Sequence, residues 1–149
     1  MALTIRPARS DEAALVVPLY DWLFAPPGGM APGWDPVVAG ERLAALIDSA
    51  TSEVLLALDD EVVVGFGTIA IDLLSVRFGP RAWVEDLAVD PTARSTGVGK
   101  ALLDALRSWA AEHGATHLEL DSGDARVDAH RFYDREQPTW TSRCFAWWL

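Results

Sequence analysis

Between Asp90 and Leu103 the chain reads DPTARSTGVGKALL, and its centre is Arg94-Ser95-Thr96-Gly97-Val98-Gly99 followed by Lys100. Where such a stretch opens a helix, the first backbone N–H groups lack intrahelical partners and lie at the positive end of the dipole. Glycines let an oxygen-rich group approach those donors and permit backbone angles closed to other residues. Arg94 adds a permanent charge with a forked donor array suited to phosphate oxygens. The chemistry this favours is pyrophosphate binding. A plain turn with a solvated arginine is the competing reading. The Walker pattern is excluded, because Gly99-Lys100 is followed by Ala101 and the earlier glycine is missing. A dinucleotide fingerprint is excluded as well, since Leu102 stands where its third glycine belongs.

Just upstream, Glu85 and Asp86 are adjacent carboxylates in a strand-like run. Strand alternation sends them to opposite faces, so only one is expected to face a cleft. A carboxylate takes a proton from an alkylammonium only if burial raises its pKa or a water relays the proton. His113, His117, His130 and Cys144 show no metal-ligand spacing, and no metal is expected. Cys144 is the single cysteine, which excludes an internal disulfide, and it reads as a buried structural thiol. His130 reads as a solvated helix residue.

These residues sit in 149 that suit one domain, 1–149, with half of them hydrophobic and 23% charged. Acidic residues outnumber Lys plus Arg by 22 to 12, a net charge of -10. Such a surface repels nucleic acid and anionic membranes, so neither is an expected partner, and it mildly attracts cationic substrates. No stretch resembles a signal peptide or a membrane helix, and the expected location is cytoplasmic.

Period-two alternation marks LTIRPA as a first strand. Ser10 or Asp11 is expected to cap a helix bearing Ala14, Leu15, Leu19, Trp22 and Leu23, with Pro18 complicating its end. Ala25–Trp34 is a proline- and glycine-rich loop, and Asp35-Pro36 starts a helix running to about Ala50. Two strands follow, joined at Asp59-Asp60-Glu61, then a third over Trp83–Val89. Apolar residues Leu102, Leu103, Leu106, Trp109 and Ala110 predict a helix from Gly97 to His113, stopped by Gly114. A short strand follows over His117–Asp121, expected to lie parallel to Trp83–Val89 through a right-handed crossover. Asp128–Glu136 reads as a short helix and the aromatic tail to Leu149 as one or two strands. The fold class is a mixed α/β sheet flanked by helices.

The run VEDLAVDPTARSTGVGKALLDAL resembles the acetyl-CoA-binding motif of the GNAT superfamily of N-acetyltransferases, Arg/Gln-x-x-Gly-x-Gly/Ala after a strand and a V-x-P step. AHRFYDR, Ala129 to Arg135, is similar to the family's short helix with its Phe-Tyr pair, and the order of elements extends the resemblance over essentially the whole chain. The resemblance implies a sheet with two splayed parallel strands and acetyl-CoA as co-substrate. It implies backbone contacts to pantetheine from Leu87, Ala88 and Val89, and coenzyme phosphate contacts in Arg94–Lys100. It also implies Tyr133 as the acid for the departing thiolate and Glu85 as base or water-positioner, with Asp86 the other carboxylate in contention.

SGDARVDAH, Ser122 to His130, is similar to a pattern of small-molecule members, with Ser122, Ala129 and Phe132 on the coenzyme side. Arg126 replaces the usual Asn, which opens a contact to coenzyme phosphate or to an acidic substrate group. Arg135 is placed for the 3′-phosphate. Gln137-Pro138 departs from the family's Gly-Phe. The implied acceptor is a primary amine of a small molecule or peptide, walled by the 25–34 loop, the early helices and tryptophans 22, 34, 140, 147 and 148. A homodimer interface or core packing also accounts for those tryptophans. A non-catalytic acyl-CoA-binding sensor is the alternative function.

Overall fold

The computed structural model describes all residues, 1–149. Five strands, β1 (Leu3–Pro7), β2 (Ser52–Asp59), β3 (Val62–Ser75), β4 (Gly79–Val89) and β5 (His117–Glu119), form one sheet in the order β1-β2-β3-β4-β5. The first four are antiparallel to their neighbours, and β5 alone runs parallel to β4. The parallel neighbours expected from the strand–helix–strand pattern are therefore present. The β2–β3 hairpin turns at Asp60, whose φ of 53° lies in the left-handed region that a short polar side chain tolerates.

Helix α3 (Pro36–Asp48) is capped by Asp35, whose carboxylate accepts from the Val37 amide at 2.9 Å. Helix α4 (Val98–Glu112) is the β4–β5 crossover, and it ends where Gly114 takes a φ of 81°. Helix α5 (Val127–Arg135) follows β5. On one sheet face, α4 packs Val98, Leu102, Leu106 and Trp109 against Leu55, Ile69 and Val84. On the other, the early helices and α3 bury Val16 and Leu43 against Leu56 and Phe66. A strand buried on both faces reads as a continuous apolar run, as β2 does.

Three expectations are corrected. The first helix is a string of short pieces, with α1 (Ala13–Val16) and α2 (Asp21–Phe24) separated by a 3₁₀ turn over Val17–Tyr20. Pro18 lacks the N–H that an α-helix needs at that point. Its start is not capped by Ser10 or Asp11: Glu12 accepts from the Arg9 amide at 2.8 Å and from both terminal nitrogens of Arg6. The aromatic tail forms no strand, because residues 138–149 make no ladder hydrogen bonds.

Candidate active site

β4 and β5 pair only from Arg81–Trp83 to His117–Glu119. From Val84 onward β4 keeps its β3 partner and loses β5, so the strands separate and the backbone of Leu87, Ala88 and Val89 is unpaired on the β5 side. That opening is the splay expected of these strands. Within it β4 is bulged: Thr68 pairs with Asp86 and Ile69 with Val84, leaving Glu85 as the extra residue. A bulge suspends alternation, and Glu85 and Asp86 both line one cavity of about 350 Å³. The expectation that only one of them faces the cleft is thereby corrected.

The two carboxylates are held differently. Asp86 Oδ2 accepts from the Tyr20 hydroxyl and from the Thr68 hydroxyl, each at 2.7 Å, and Thr68 Oγ1 in turn accepts from the Asp86 amide at 3.1 Å. Two charge-assisted bonds to one oxygen stabilise the anion. They leave Oδ1 without a protein partner. Burial, then the Asp86 charge, pushes the Tyr20 phenol well above its ordinary range, so it stays a donor. Glu85 is exposed at the bulge and accepts from Trp83 Nε1 at 2.7 Å.

Tyr133 lines the same cavity from α5. Burial pushes its phenol up to about 12, opposed by the positive charge of Arg126, and its hydroxyl makes no hydrogen bond within the protein. It is a protonated, uncommitted donor at neutral pH. Ala129 and Ser122 line the wall beside it, and the Ser122 hydroxyl is buried without a partner. His130 is half-buried rather than solvated, with Nε2 3.4 Å from the Ser122 carbonyl. Arg126 reaches toward α2: its guanidinium donates to the Leu23 carbonyl at 3.0 Å, at the last turn of that helix. Gly28 closes on that contact, since a Cβ there would stand 2.7 Å from Arg126 Nη2. Arg126 therefore ties the start of α5 to the end of α2, with Gly28 of the 25–34 loop close beside the contact.

The turn Arg94–Gly97 lies outside this cavity, at the start of α4. Ser95 and Gly97 have φ of 62° and 92°, and Thr96 Oγ1 donates to the Ala93 carbonyl. The amides of Ser95, Thr96 and Gly97 donate to no acceptor in the protein, and Arg94 is exposed and unpaired. Val98 is buried and anchors the helix start. A Cβ at Gly99 would stand 3.5 Å from the Phe132 ring, so α5 crosses close over the turn. These free donors, with a glycine at positive φ, fit a pyrophosphate group. Lys100 is engaged by Asp104 at 3.2 Å and Glu136 at 3.3 Å, and these partners raise its pKa. Arg135 is exposed.

Of the five tryptophans, Trp34 alone lines the cavity, beside Tyr20 and Phe24. Trp22 packs toward Phe66, and Trp147 and Trp148 are exposed. Cys144, expected to be buried, is exposed on the tail. Sequence reasoning missed Tyr20 and Thr68. Thr68 carried a signal, as a lone hydroxyl inside the apolar run GFGTIAI that must find a partner once buried. Tyr20 carried none, because its partner lies 66 residues away.

A split parallel pair with a bulged strand, a glycine-rich helix start beside it and a carboxylate–phenol cavity define an acyl-transferase class of site. The model of the acetyltransferase (GNAT) family matches residues 16–137. The chain belongs to that family, an N-acetyltransferase fold. It is 37% identical over 93 residues to the uncharacterized N-acetyltransferase YhdJ of Bacillus subtilis, a match covering 62% of this chain and 65% of that protein. YhfO of the same organism, also an uncharacterized N-acetyltransferase, is 27% identical over 135 residues, 89% of this chain and 87% of that one. Among solved structures, aminoglycoside N-acetyltransferase AAC(6')-Iy in complex with CoA superimposes with a TM-score of 0.84 at 19% identity, over 99% of this chain and 94% of that one. A transcriptional regulator from Bacillus halodurans gives 0.83 at 22% identity, over 99% of both. At these identities the two structures establish the fold.

Proposed function

We propose that this protein transfers the acetyl group of acetyl-CoA to a primary amine of a cationic small molecule. The observation that carries the reading is the convergence of Glu85, Asp86 and Tyr133 on one cavity at the mouth of the β4–β5 split. Acetyl-CoA supplies an activated thioester, and the chain supplies position and protons. The free amides of Ser95–Gly97 and the Arg94 guanidinium hold the pyrophosphate. The unpaired backbone of Leu87–Val89 takes the pantetheine as an added strand.

Asp86 serves as the counter-ion for the amine. Two hydroxyls hold its Oδ2 in place, and its free Oδ1 accepts an ammonium N–H. Glu85, exposed at the bulge, takes the proton through water. Tyr133, protonated and without a partner, donates to the leaving sulfur. Neighbouring folds act on cationic amines: a related aminoglycoside acetyltransferase from a soil metagenome was solved with sisomicin. The aromatic wall of Tyr20, Phe24 and Trp34 beside three carboxylates, counting Asp121, suits the same charge.

The test is thiol release from acetyl-CoA over a panel of polyamines, aminoglycosides, amino acids and peptides. Turnover on cationic amines, abolished in Tyr133→Phe with acetyl-CoA binding kept, supports the reading. Tight acetyl-CoA binding with no turnover on any amine refutes it in favour of a sensor.

A further inference from the structure

Three carboxylates line the cavity, Glu85, Asp86 and Asp121, and one positive side chain, Arg126. That charge is spent on none of the three. Arg126 enters no ion pair, and the one hydrogen bond its side chain makes goes to an uncharged group, the Leu23 carbonyl. A guanidinium carries five donors in a fixed fork, so one bond to Leu23 sets its orientation and leaves its charge and its other donors to the cavity. Backbone of the 25–34 loop lies against the same nitrogen, because a Cβ on Gly28 would stand 2.7 Å from Arg126 Nη2. Half-buried in this way, the charge acts more strongly on its neighbours than it would in water.

Helix spacing brings that charge to Tyr133. Arg126 is the N-cap of α5, Ala129 and Tyr133 follow on the same helix face, and all three line the cavity. The other titratable groups facing Tyr133 are Glu85 and Asp86 from β4, Asp121 beyond β5 and Tyr20 from the 3₁₀ turn, none of them cationic. His130 of α5 turns to the Ser122 carbonyl instead. Arg126 acts on the Tyr133 phenol as a nearby cation must, against the upward push of burial. When Tyr133 gives its proton to the departing sulfur, its O–H bond breaks, an S–H bond forms and the electron pair stays on the phenolate oxygen. That oxygen is then a fourth anion beside three carboxylates, which like-charge repulsion opposes.

We propose that Arg126 is a positioning residue for the transfer: clasped to Leu23, it holds a positive charge against Tyr133 and stabilises the phenolate until water returns its proton. The inference rests on the proposed role of Tyr133 as the acid. It gives the clasp a part in the chemistry, because the bond that joins α2 to α5 also aims the guanidinium.

The chain has only two tyrosines, Tyr20 and Tyr133, so the phenolate can be observed directly. Both are replaced biosynthetically by 3,5-difluorotyrosine, whose more acidic phenol titrates within the pH range of the stable fold. Fluorine NMR then follows the signal that is lost in Tyr133→Phe. Arg126→Gln keeps a donor for the Leu23 carbonyl and removes the charge. The Tyr133 signal should titrate about one pH unit or more higher in Arg126→Gln than in the natural chain or in Arg126→Lys. In unlabelled protein, kcat for acetyl transfer should fall about threefold or more in Arg126→Gln and recover in Arg126→Lys, with KM for acetyl-CoA unchanged in both. In the fluorinated natural sequence the Arg126 Nε–H resonance should move with the Tyr133 midpoint, which reads the pair even where Arg126→Gln fails to fold. A Tyr133 titration unmoved by Arg126→Gln, an Arg126 resonance indifferent to it, or a loss of turnover that Arg126→Lys does not recover overturns the inference. A raised KM for acetyl-CoA overturns it too, by placing Arg126 on the coenzyme. A natural chain that binds acetyl-CoA and turns over no amine overturns the acid role of Tyr133 itself, and the fluorine titration tells the two failures apart.

Discussion

Replacing Glu12 by Gln tests how the chain fixes the helices that wall the acceptor cavity. The Glu12 carboxylate accepts from Arg6 at 2.8 and 2.9 Å and from the Arg9 amide at 2.8 Å, and its side chain is 9% exposed. The Arg6 hydrogen bonds above all lower its pKa from 4.5 to about 2. A shift of that size corresponds to about 3 kcal/mol. Solvent reaches Arg6, which is 29% exposed, and screening brings the expected contribution to about 2 kcal/mol. The folded-state pKa is depressed, so this stability is fully present above pH 4.5 and is lost as pH falls towards 2. Urea unfolding of both proteins at pH 7 and at successive steps down to pH 2 reads it directly. Glu12→Gln should be about 2 kcal/mol less stable at neutral pH, and the gap should close with acid. A gap that stays constant over the whole range would falsify the assignment of this bidentate pair as the anchor.

Arg94→Glu should weaken acetyl-CoA binding at least tenfold by calorimetry while leaving the melting temperature unchanged, because the side chain is exposed and unpaired. Tyr20→Phe removes one of two 2.7 Å bonds to Asp86 and should raise KM for the amine about tenfold or more, the worth of a hydrogen bond to a charged group, with acetyl-CoA affinity kept. Gly65→Ala would put a Cβ 2.9 Å from Leu102 and 3.0 Å from both Val98 and the Ala88 carbonyl, and should cost about 1–3 kcal/mol in chemical denaturation. Tyr133→Phe should cut turnover on any accepted amine by about a hundredfold or more without changing acetyl-CoA affinity, read in a thiol-release assay.

Much of the frame was legible because local chemistry decides it. Asp35-Pro36 and Gly114 punctuate helices by backbone geometry alone, and the crossover through α4 follows from the handedness of strand–helix–strand units. The glycine-bearing turn at the start of α4 was legible for the same reason, since its geometry is confined to six contiguous residues. The acceptor side was not. Whether Glu85 and Asp86 share a face depends on one unpaired residue in a ladder, and the β3 partner that sets the ladder is not encoded beside them. Tyr20 was hidden by distance, and Arg126 by direction, since residue type alone does not tell whether a guanidinium turns toward phosphate or toward the Leu23 carbonyl. The tail reads as a strand by composition, but a strand exists only against another strand. No sequence pattern supplies that second edge.

The clasp from Arg126 to Leu23 divides the ways in which the protein can change. Nearly all of the aromatic wall of the cavity comes from one contiguous stretch, Tyr20 to Trp34, joined to β4 by the Tyr20–Asp86 hydrogen bond and to α5 by the Arg126–Leu23 bond and the close approach of Gly28. Insertions or exchanges between Pro27 and Trp34 therefore alter what the cavity admits without touching a strand. Under the proposed function, a lineage can trade one acceptor for another by rewriting that short stretch while the strands and α4 stay as they are. Selectivity in this architecture is a replaceable part, and Arg126 is its fastening.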